Sequence, residues 1–342
     1  MSRRTKLSAK YWKWCARMND IMRRFEGREY DFLRGNSDLK NCIYLTLSGS
    51  HGYGTNVADS DLDLRGVLVE PVRYLYGLEV FSQFEELATD TVIYGLKKYV
   101  SMCADGNPNA LELLGTDEDS IVLATRSGRL LRENAGLFLS KRVISSFGNY
   151  AMAQLRRLSN ALCHDRYNEA EQERHLCNTL KRQFDHFNRK YATLDETSMR
   201  IYLENDRLLF DVSLQGYPIR DFAGIYGEMH NIIKTYGKLN HRNRKKDDAH
   251  LCKHAMHLIR LLITGKDILD GKGIITKRKA ERDLLLDIRC GRCSFDEIFA
   301  LAEKYQTDFD ASARDTALPK LPDLDKIEAL MMEIYAATEG AP

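Results

Sequence analysis

Residues 47–67 read LSGSHGYGTNVADSDLDLRGV, and they combine a glycine-rich turn with two closely spaced aspartates. The β-rich run NCIYLTL at 41–47 leads into this stretch and predicts a strand that ends where the glycines begin. Gly49, Gly52 and Gly54 lack side chains, so backbone N–H groups in the turn can approach a phosphate closely. The segment therefore predicts a phosphate-binding turn directly after a strand.

The two aspartates follow on a second predicted strand at 61–70. Because side chains alternate along a strand, Asp61 and Asp63 leave the same face while the leucines at 62 and 64 point into the core. Two carboxylates on one rigid face repel each other unless cations lie between them, which suits a divalent metal, most naturally Mg²⁺. A phosphate-binding turn close before such a pair is the arrangement of two-metal phosphoryl or nucleotidyl transfer.

Other nucleotide or metal motifs fit this stretch less well. Gly49 and Gly54 have the spacing of a P-loop, but Thr55 and Asn56 stand where its lysine and hydroxyl residue belong. The dinucleotide fingerprint GxGxxG is absent from the stretch. Acidic residues do occupy positions 1, 3, 5 and 12 of an EF-hand, namely Asp59, Asp61, Asp63 and Glu70. Position 6 is Leu64 instead of glycine and a strand follows, which argues against a calcium loop.

The pattern of the whole chain predicts an α+β protein of two domains. A third short strand is predicted at 89–94, with a helical pattern after it. Long helical stretches follow at 150–162, 169–191, 249–264 and 324–337. We predict a catalytic domain at 1–140, built from a small mixed sheet with helices, and a mostly helical acceptor-binding domain at 141–342.

Several motifs resemble the DNA polymerase β nucleotidyltransferase superfamily. Its active-site signature is similar to Gly49-Ser50 followed by SDLDLRG at 60–66. More narrowly, GSxxYG, SDxDxRG, GNPN at 106–109 with LELL at 111–114, and KHAMHLIR at 253–260 look like the RNA-repair-pathway branch, RlaP. Members of that branch are predicted nucleotidyltransferases of bacteria and their phages. The resemblance runs from about residue 43 to residue 335 and is specific only at these motifs.

The resemblance implies an enzyme that transfers a nucleotide from an NTP to an acceptor hydroxyl and releases pyrophosphate. Asp61 and Asp63 would ligate two Mg²⁺ ions, with Mn²⁺ as an alternative. Asp90 is our candidate for the third carboxylate because it opens the third predicted strand, and Glu112 is the reserve. The nucleotide-binding residues would be Gly49, Ser50, Tyr53, Gly54, Ser60 and Arg65.

RNA is the acceptor that the resemblance implies, with the 3′ end of a tRNA in repair as one such acceptor. The run KTYGKLNHRNRKK at 234–246 has six basic residues and no acid, which is typical of a track for an RNA backbone. Residues 3–34, with ten basic and four acidic residues, are a weaker candidate. The predicted acceptor-binding residues are Lys234, Lys238, Arg242, Arg244, Lys245, Lys246, Lys253, His257 and Arg260.

Composition limits the other classes of function. Hydrophobic residues make up 44% and charged residues 29% of the 342, and the net charge is +2, so any nucleic-acid surface must be local. No apolar run is long enough for a membrane span, and eight scattered cysteines favour reduced thiols in the cytoplasm. We interpret Cys290 and Cys293 as incidental, and His250 with His254 as a helix face rather than a zinc site.

Two other hypotheses stay open on the sequence. The enzyme could transfer its nucleotide to a protein hydroxyl, as some antitoxin-like members of the superfamily do. A protein of another class, a catalytically inactive RNA-binding scaffold, would keep the fold without the chemistry. Intact Gly49, Ser50, Asp61 and Asp63 argue against the scaffold.

Overall fold

A computed structural model describes most of the chain. The described residues are 23, 25, 27–57, 60–166, 169–184, 187–188, 191–192, 194, 197–242 and 248–339. Two compact units divide the chain: residues 1–151 together with 256–342 form the first, and residues 152–255 form the second. The described residues from 256 onward thus belong to the same unit as the glycine-rich turn and the two aspartates. The assignment of acceptor binding to residues 141–342 stays a prediction.

A five-stranded mixed sheet forms the centre of the first unit, in the order β3-β4-β2-β1-β5. β1 runs antiparallel to both β2 and β5, β2 runs parallel to β4, and β3 is antiparallel to β4. The second unit has an antiparallel hairpin of β6 and β7. The strands are β1 Cys42–Leu47, β2 Leu64–Leu68, β3 Gln83–Glu86, β4 Thr91–Gly95, β5 Ile121–Ala124, β6 Met199–Glu204 and β7 Arg207–Val212.

Helices make up most of the remaining described structure. The helices up to residue 133 are α1 Phe32–Gly35, α2 Gly49–Tyr53, α3 Val72–Tyr76, α4 Leu96–Ala104, α5 Pro108–Leu114 and α6 Arg126–Glu133. The later helices are α7 Arg142–Arg166, α8 Glu169–Arg182, α9 Ile219–Arg242, α10 Asp248–Leu269, α11 Arg282–Arg289, α12 Phe295–Asp315 and α13 Leu324–Glu339. Within the described helices, none combines the length and hydropathy needed to cross a bilayer.

Burial explains why the central strands form. Leu47, Leu64 and Ile93 come from three neighbouring strands and belong to one hydrophobic cluster, into which Phe25 and Tyr30 also pack. Helix α13 returns to the sheet, where the Tyr335 hydroxyl donates to Glu70 Oε2 at 2.8 Å. The second unit has its own core, which includes Leu180, Phe187, Ile201, Ile225 and Met229.

The predicted strands and helices are found close to their expected places. The strand predicted at 61–70 is shorter in the structure, since β2 begins only at Leu64. β3, β5 and the β6–β7 hairpin were not predicted, because their short, partly exposed runs carry a weak alternation signal.

Candidate active site

The glycine-rich turn lies against the second aspartate. β1 ends at Leu47, and the short helix α2 begins at Gly49. Gly49 has a φ of 53°, a left-handed conformation that glycine adopts without steric cost. A Cβ at this position would lie 2.8 Å from Asp63 Cγ and would overlap Asp63 Oδ2. The Asp63 carboxylate therefore occupies the space that a side chain at position 49 would need.

Backbone hydrogen bonds hold the turn beside the aspartates. The Ser48 N–H donates to the Asp63 carbonyl oxygen at 2.8 Å, one step beyond the pairing of Leu47 with Leu64. The Thr55 N–H donates to the Ser50 carbonyl oxygen at 2.9 Å and closes the turn. The main chain, rather than flexible side chains, thus sets the position of Ser50 relative to Asp63.

Asp61 and Asp63 alternate with buried leucines immediately before β2. Leu62 is 3% exposed and Leu64 is fully buried, whereas Asp61 is exposed and Asp63 is half-buried. The two aspartates precede the observed strand instead of lying within it. The alternation still directs the leucines into the core and leaves the aspartates outside it.

Asp90 stands at the same end of the sheet. β2 and β4 are parallel, and Leu64 pairs with Thr91, so Asp63 and Asp90 both come one residue before their strands. Asp90 adopts a left-handed φ of 41°, and its side chain is 61% exposed. Arg65 Nη2 donates to Asp90 Oδ1 at 2.9 Å, and Arg65 Nη1 donates to the Asp90 carbonyl oxygen. Arg65 therefore neutralises Asp90 at this edge.

Glu112, the reserve third carboxylate, belongs to a buried network. Its side chain is 3% exposed and forms an ion pair with Arg260, which is fully buried. The Tyr53 hydroxyl donates to Glu112 Oε2 at 2.7 Å, and the Arg260 guanidinium lies 3.5 Å from the centre of the Tyr53 ring. Arg260 Nη2 also lies 3.0 Å from His257 Nδ1. The network joins α2, α5 and α10.

Three residues named in the sequence analysis lie in this buried network. Glu112 is buried and paired, so it does not face an exposed metal site. Arg260 does not face an acceptor phosphate, because its guanidinium is buried against Glu112. Burial raises the pKa of the Tyr53 hydroxyl well above its ordinary value, and that hydroxyl links α2 to Glu112 on α5. His257 packs between the rings of Tyr53 and Tyr150, at 6.5 and 6.2 Å between ring centres.

The charged environment of Arg260 keeps it cationic inside the protein. Burial acts to lower the pKa of Arg260, but the charge of Glu112 and its hydrogen bond more than offset this and raise the pKa. Removing one partner of such a pair destabilises the protein strongly, because the other charge is then left buried and unpaired. The pair and the Tyr53 hydroxyl thus connect the helix of the glycine turn, α2, to α5 and α10.

Three basic residues near the turn were missed by the sequence reasoning. Arg289 Nη1 donates to the Thr55 carbonyl oxygen at 2.6 Å, and its Nη2 donates to Ser60 Oγ at 3.1 Å. Arg282 Nε donates to the Gly54 carbonyl oxygen at 3.0 Å. A Cβ on Gly54 would lie 3.2 Å from Lys277 Cγ. The basic character of residues 277–289 is visible in the sequence, but more than 200 residues separate it from the turn.

The predicted acceptor-binding residues are distributed over two helices. Lys234 is exposed on α9, and Lys253 is exposed on α10. Lys238 and Arg242 follow Lys234 along the backbone of α9. Arg244, Lys245 and Lys246, Asp59, and most of the basic segment 3–34 lie outside the described residues.

The carboxylate pair suits a hard divalent ion by its donor chemistry. Asp61 and Asp63 offer only carboxylate oxygens, which Mg²⁺ and Mn²⁺ prefer. The Asp63 carboxylate already borders the open Gly49 position. Across the described ranges, no group of three or more His, Cys, Asp or Glu side chains is placed to hold a metal ion. The structure thus brings the turn and Asp63 together and places Asp90 at the same sheet edge, paired with Arg65.

Comparison with known proteins adds independent information. Residues 17–169 match the model of a family described as "RlaP: RNA repair pathway DNA polymerase beta family". The match confirms the predicted resemblance and the polymerase-β-like fold, and it supports a nucleotidyltransferase. No solved structure matches.

One curated relative is a phage protein. The "Uncharacterized 38.9 kDa protein in nrdC-mobD intergenic region" of Enterobacteria phage T4 is 26% identical over 113 residues, which cover 29% of this chain and 34% of the relative. The chain thus matches about a third of that relative's length. The similarity fits the phage branch expected from the motifs.

Proposed function

We propose that this chain, whose residues 17–169 match the RNA-repair-pathway branch of the polymerase β family, is a metal-dependent nucleotidyltransferase acting on RNA. An acceptor hydroxyl attacks the α-phosphorus of an NTP, the bond from that phosphorus to the bridging oxygen of the β-phosphate breaks, and pyrophosphate leaves. The contact between Gly49 and the Asp63 carboxylate carries the proposal. A phosphate bound at this turn would lie next to the predicted metal ligands.

Asp61 and Asp63 would hold the divalent ions, Mg²⁺ or Mn²⁺. When bound, such ions lower the pKa of the acceptor hydroxyl and neutralise charge on the departing pyrophosphate. The chain itself contributes rigidity, because the aspartates lie on backbone that is hydrogen-bonded to Ser48 and flanked by buried leucines. Groups held in place in this way need little reorganisation during the reaction.

Asp90 is our candidate for the third carboxylate, and Arg65 is its partner. Their ion pair lies at the edge of the sheet where β2 and β4 begin. Asp90 would hold a metal ion together with Asp61 and Asp63. Arg65 Nη1 is bonded to the Leu64 and Asp90 carbonyl oxygens and fixes the guanidinium at this edge, so that Nη2 would be the donor available to a triphosphate.

The turn residues would bind the phosphates. Gly49 and Ser50 would contact the β- and γ-phosphates through backbone and hydroxyl groups, as the family resemblance implies. Gly54 and Ser60 act on the shape of the loop, since their oxygens accept hydrogen bonds from Arg282 and Arg289. These interactions preserve the loop that leads into the aspartates.

RNA is the acceptor best supported by the family description, which names an RNA repair pathway. Exposed Lys234 and Lys253 provide cations for a phosphate backbone. Lys238, Arg242, Arg244, Lys245 and Lys246 would extend that track, and the 3′ end of a tRNA is the specific acceptor we propose.

The test is incubation of the purified protein with Mg²⁺, each α-labelled NTP in turn, and total tRNA. We expect label in RNA, reduced roughly 100-fold or more in the Asp61→Asn/Asp63→Asn protein, because the metal ligands lose their charge. Asp206→Asn is the matched control: it removes an aspartate in the β6–β7 turn whose φ of 56° asparagine tolerates. Label in protein would contradict an RNA acceptor, and label in neither with Mg²⁺ or Mn²⁺ would contradict the enzyme.

A further inference from the structure

We propose that helix α9 binds single-stranded acceptor RNA through an exposed aromatic and basic face, on which Tyr226 and His230 stack with bases. The inference rests on the proposed function for the identity of the ligand. It adds Arg220, Tyr226 and His230 to the basic run that begins at Lys234, and it names unpaired bases as the feature recognised.

The aromatic pair is stacked and exposed. Tyr226 and His230 lie one helical turn apart, with ring centres at 6.1 Å and an angle of 24° between the rings. Tyr226 is 60% exposed, and His230 is exposed as well. Aromatic rings bury large surfaces when they serve a core, so an exposed stacked pair leaves a flat surface open to solvent. Bases stack on such surfaces largely regardless of their identity.

The charges of α9 are sorted between its two sides. The helix has four basic and two acidic residues. Both acids bond within the unit: Asp221 Oδ2 accepts from the Ala192 N–H at 3.1 Å, and Glu228 Oε1 accepts from the Tyr191 hydroxyl at 2.7 Å. The basic residues Arg220 and Lys234 are exposed instead.

Helical geometry places the cations with the aromatic rings. At 100° per residue, Tyr226, His230 and Lys234 follow one another along a single face, and Arg220 falls at its border. The buried residues Ile225, Met229 and Ile232 face the core of the unit. The outer face therefore carries π-surfaces and positive charge while the acids of the helix are bonded elsewhere.

Charge complementarity favours RNA over a protein as the occupant of this face. Ile219 and Ile233 are also exposed there, and an apolar stripe alone would fit a second protein surface. The sorting of cations onto the stripe matches a polyanion, and aromatic rings between cations are typical of single-strand binding. Positions Lys238 and Arg242 continue the helix at four-residue steps beyond Lys234.

Fluorescence anisotropy with a short end-labelled single-stranded RNA tests the proposal on the full chain. Tyr226→Leu should weaken binding about tenfold or more, because leucine preserves apolar bulk but cannot stack, whereas Tyr226→Trp should bind like the wild type. Tyr76→Leu is the matched control, since Tyr76 is an exposed tyrosine of the first unit. Arg220→Gln should reduce the slope of log affinity against log salt by about 0.7.

The outcomes separate this surface from the catalytic proposal. Unchanged RNA affinity in a folded Tyr226→Leu protein would overturn the proposal that this face binds RNA. If the same substitution weakened self-association, the face would instead bind a second copy of the chain or another protein. Binding that depends on Tyr226 in a protein without transferase activity would uphold the surface and contradict the proposed enzyme.

Discussion

Gly49→Ala is the change that most directly tests the contact between the turn and the carboxylate. The new Cβ would lie 2.8 Å from Asp63 Cγ, whereas carbon atoms pack at about 3.5–4.0 Å, so Asp63 must move by about 1 Å. A misplacement of about 1 Å in a catalytic group costs around 100-fold in rate. An alanine at the left-handed φ of 53° should lower the free energy of unfolding by only about 1–2 kcal/mol. A 100-fold loss of rate corresponds to about 2.7 kcal/mol of activation free energy, which exceeds the expected loss of stability.

The assay compares initial rates of nucleotide transfer with urea denaturation curves. Gly271→Ala is the control, because Gly271 has a φ of 77° in the same compact unit and no neighbouring atoms within 4 Å of an added Cβ. It should suffer the backbone strain and keep the wild-type rate. A folded Gly49→Ala protein with the wild-type rate would refute the reasoning, because Asp63 would then not need its position beside the turn.

Three further predictions concern charge. Asp90→Asn, which the left-handed φ tolerates, should lower transfer about 100-fold, and an unchanged rate would exclude Asp90 as the third ligand. Arg260→Met should lower the free energy of unfolding in urea by about 3–5 kcal/mol, because Glu112 is left buried and unpaired, and Glu112→Met added to it should recover most of the loss. The hydrogen bond from Lys266 lowers the pKa of Asp270 to about 2, below the ordinary value of about 3.9. The ionised Asp270 carboxylate therefore stabilises the fold above about pH 4, and this contribution fades as the pH falls toward 2. Asp270→Asn should thus flatten this part of an acid titration followed by circular dichroism.

The local geometry of the turn and the aspartates could be predicted because it depends on adjacent residues. Alternation of Asp61, Leu62, Asp63 and Leu64 is a property of any extended backbone, and the burial of both leucines follows it. The lack of a side chain at Gly49 was recognised as important, but the sequence does not show which group occupies the space where a side chain would lie. The structure supplies that neighbour, the Asp63 carboxylate.

Roles that depend on long-range contacts were assigned less well. Arg260 belongs to a motif that resembles the family, and a positive charge near an active site suggested contact with phosphate. Its partner Glu112 lies 148 residues away, and burial of the pair turns a surface role into a structural one. The contacts of Arg289 with Thr55 and Ser60 were missed for the same reason.

The sequence by itself therefore determined the resemblance to the polymerase β family, the mixed α+β fold class and the order of the motifs that carry the resemblance, because periodicity and motif spacing act over neighbouring residues. The tertiary structure decided which charges are exposed and which are buried, since desolvation depends on residues that are distant in the chain. Asp90 is consequently exposed at the edge of the sheet, whereas Glu112 is buried and supports the turn from inside the protein.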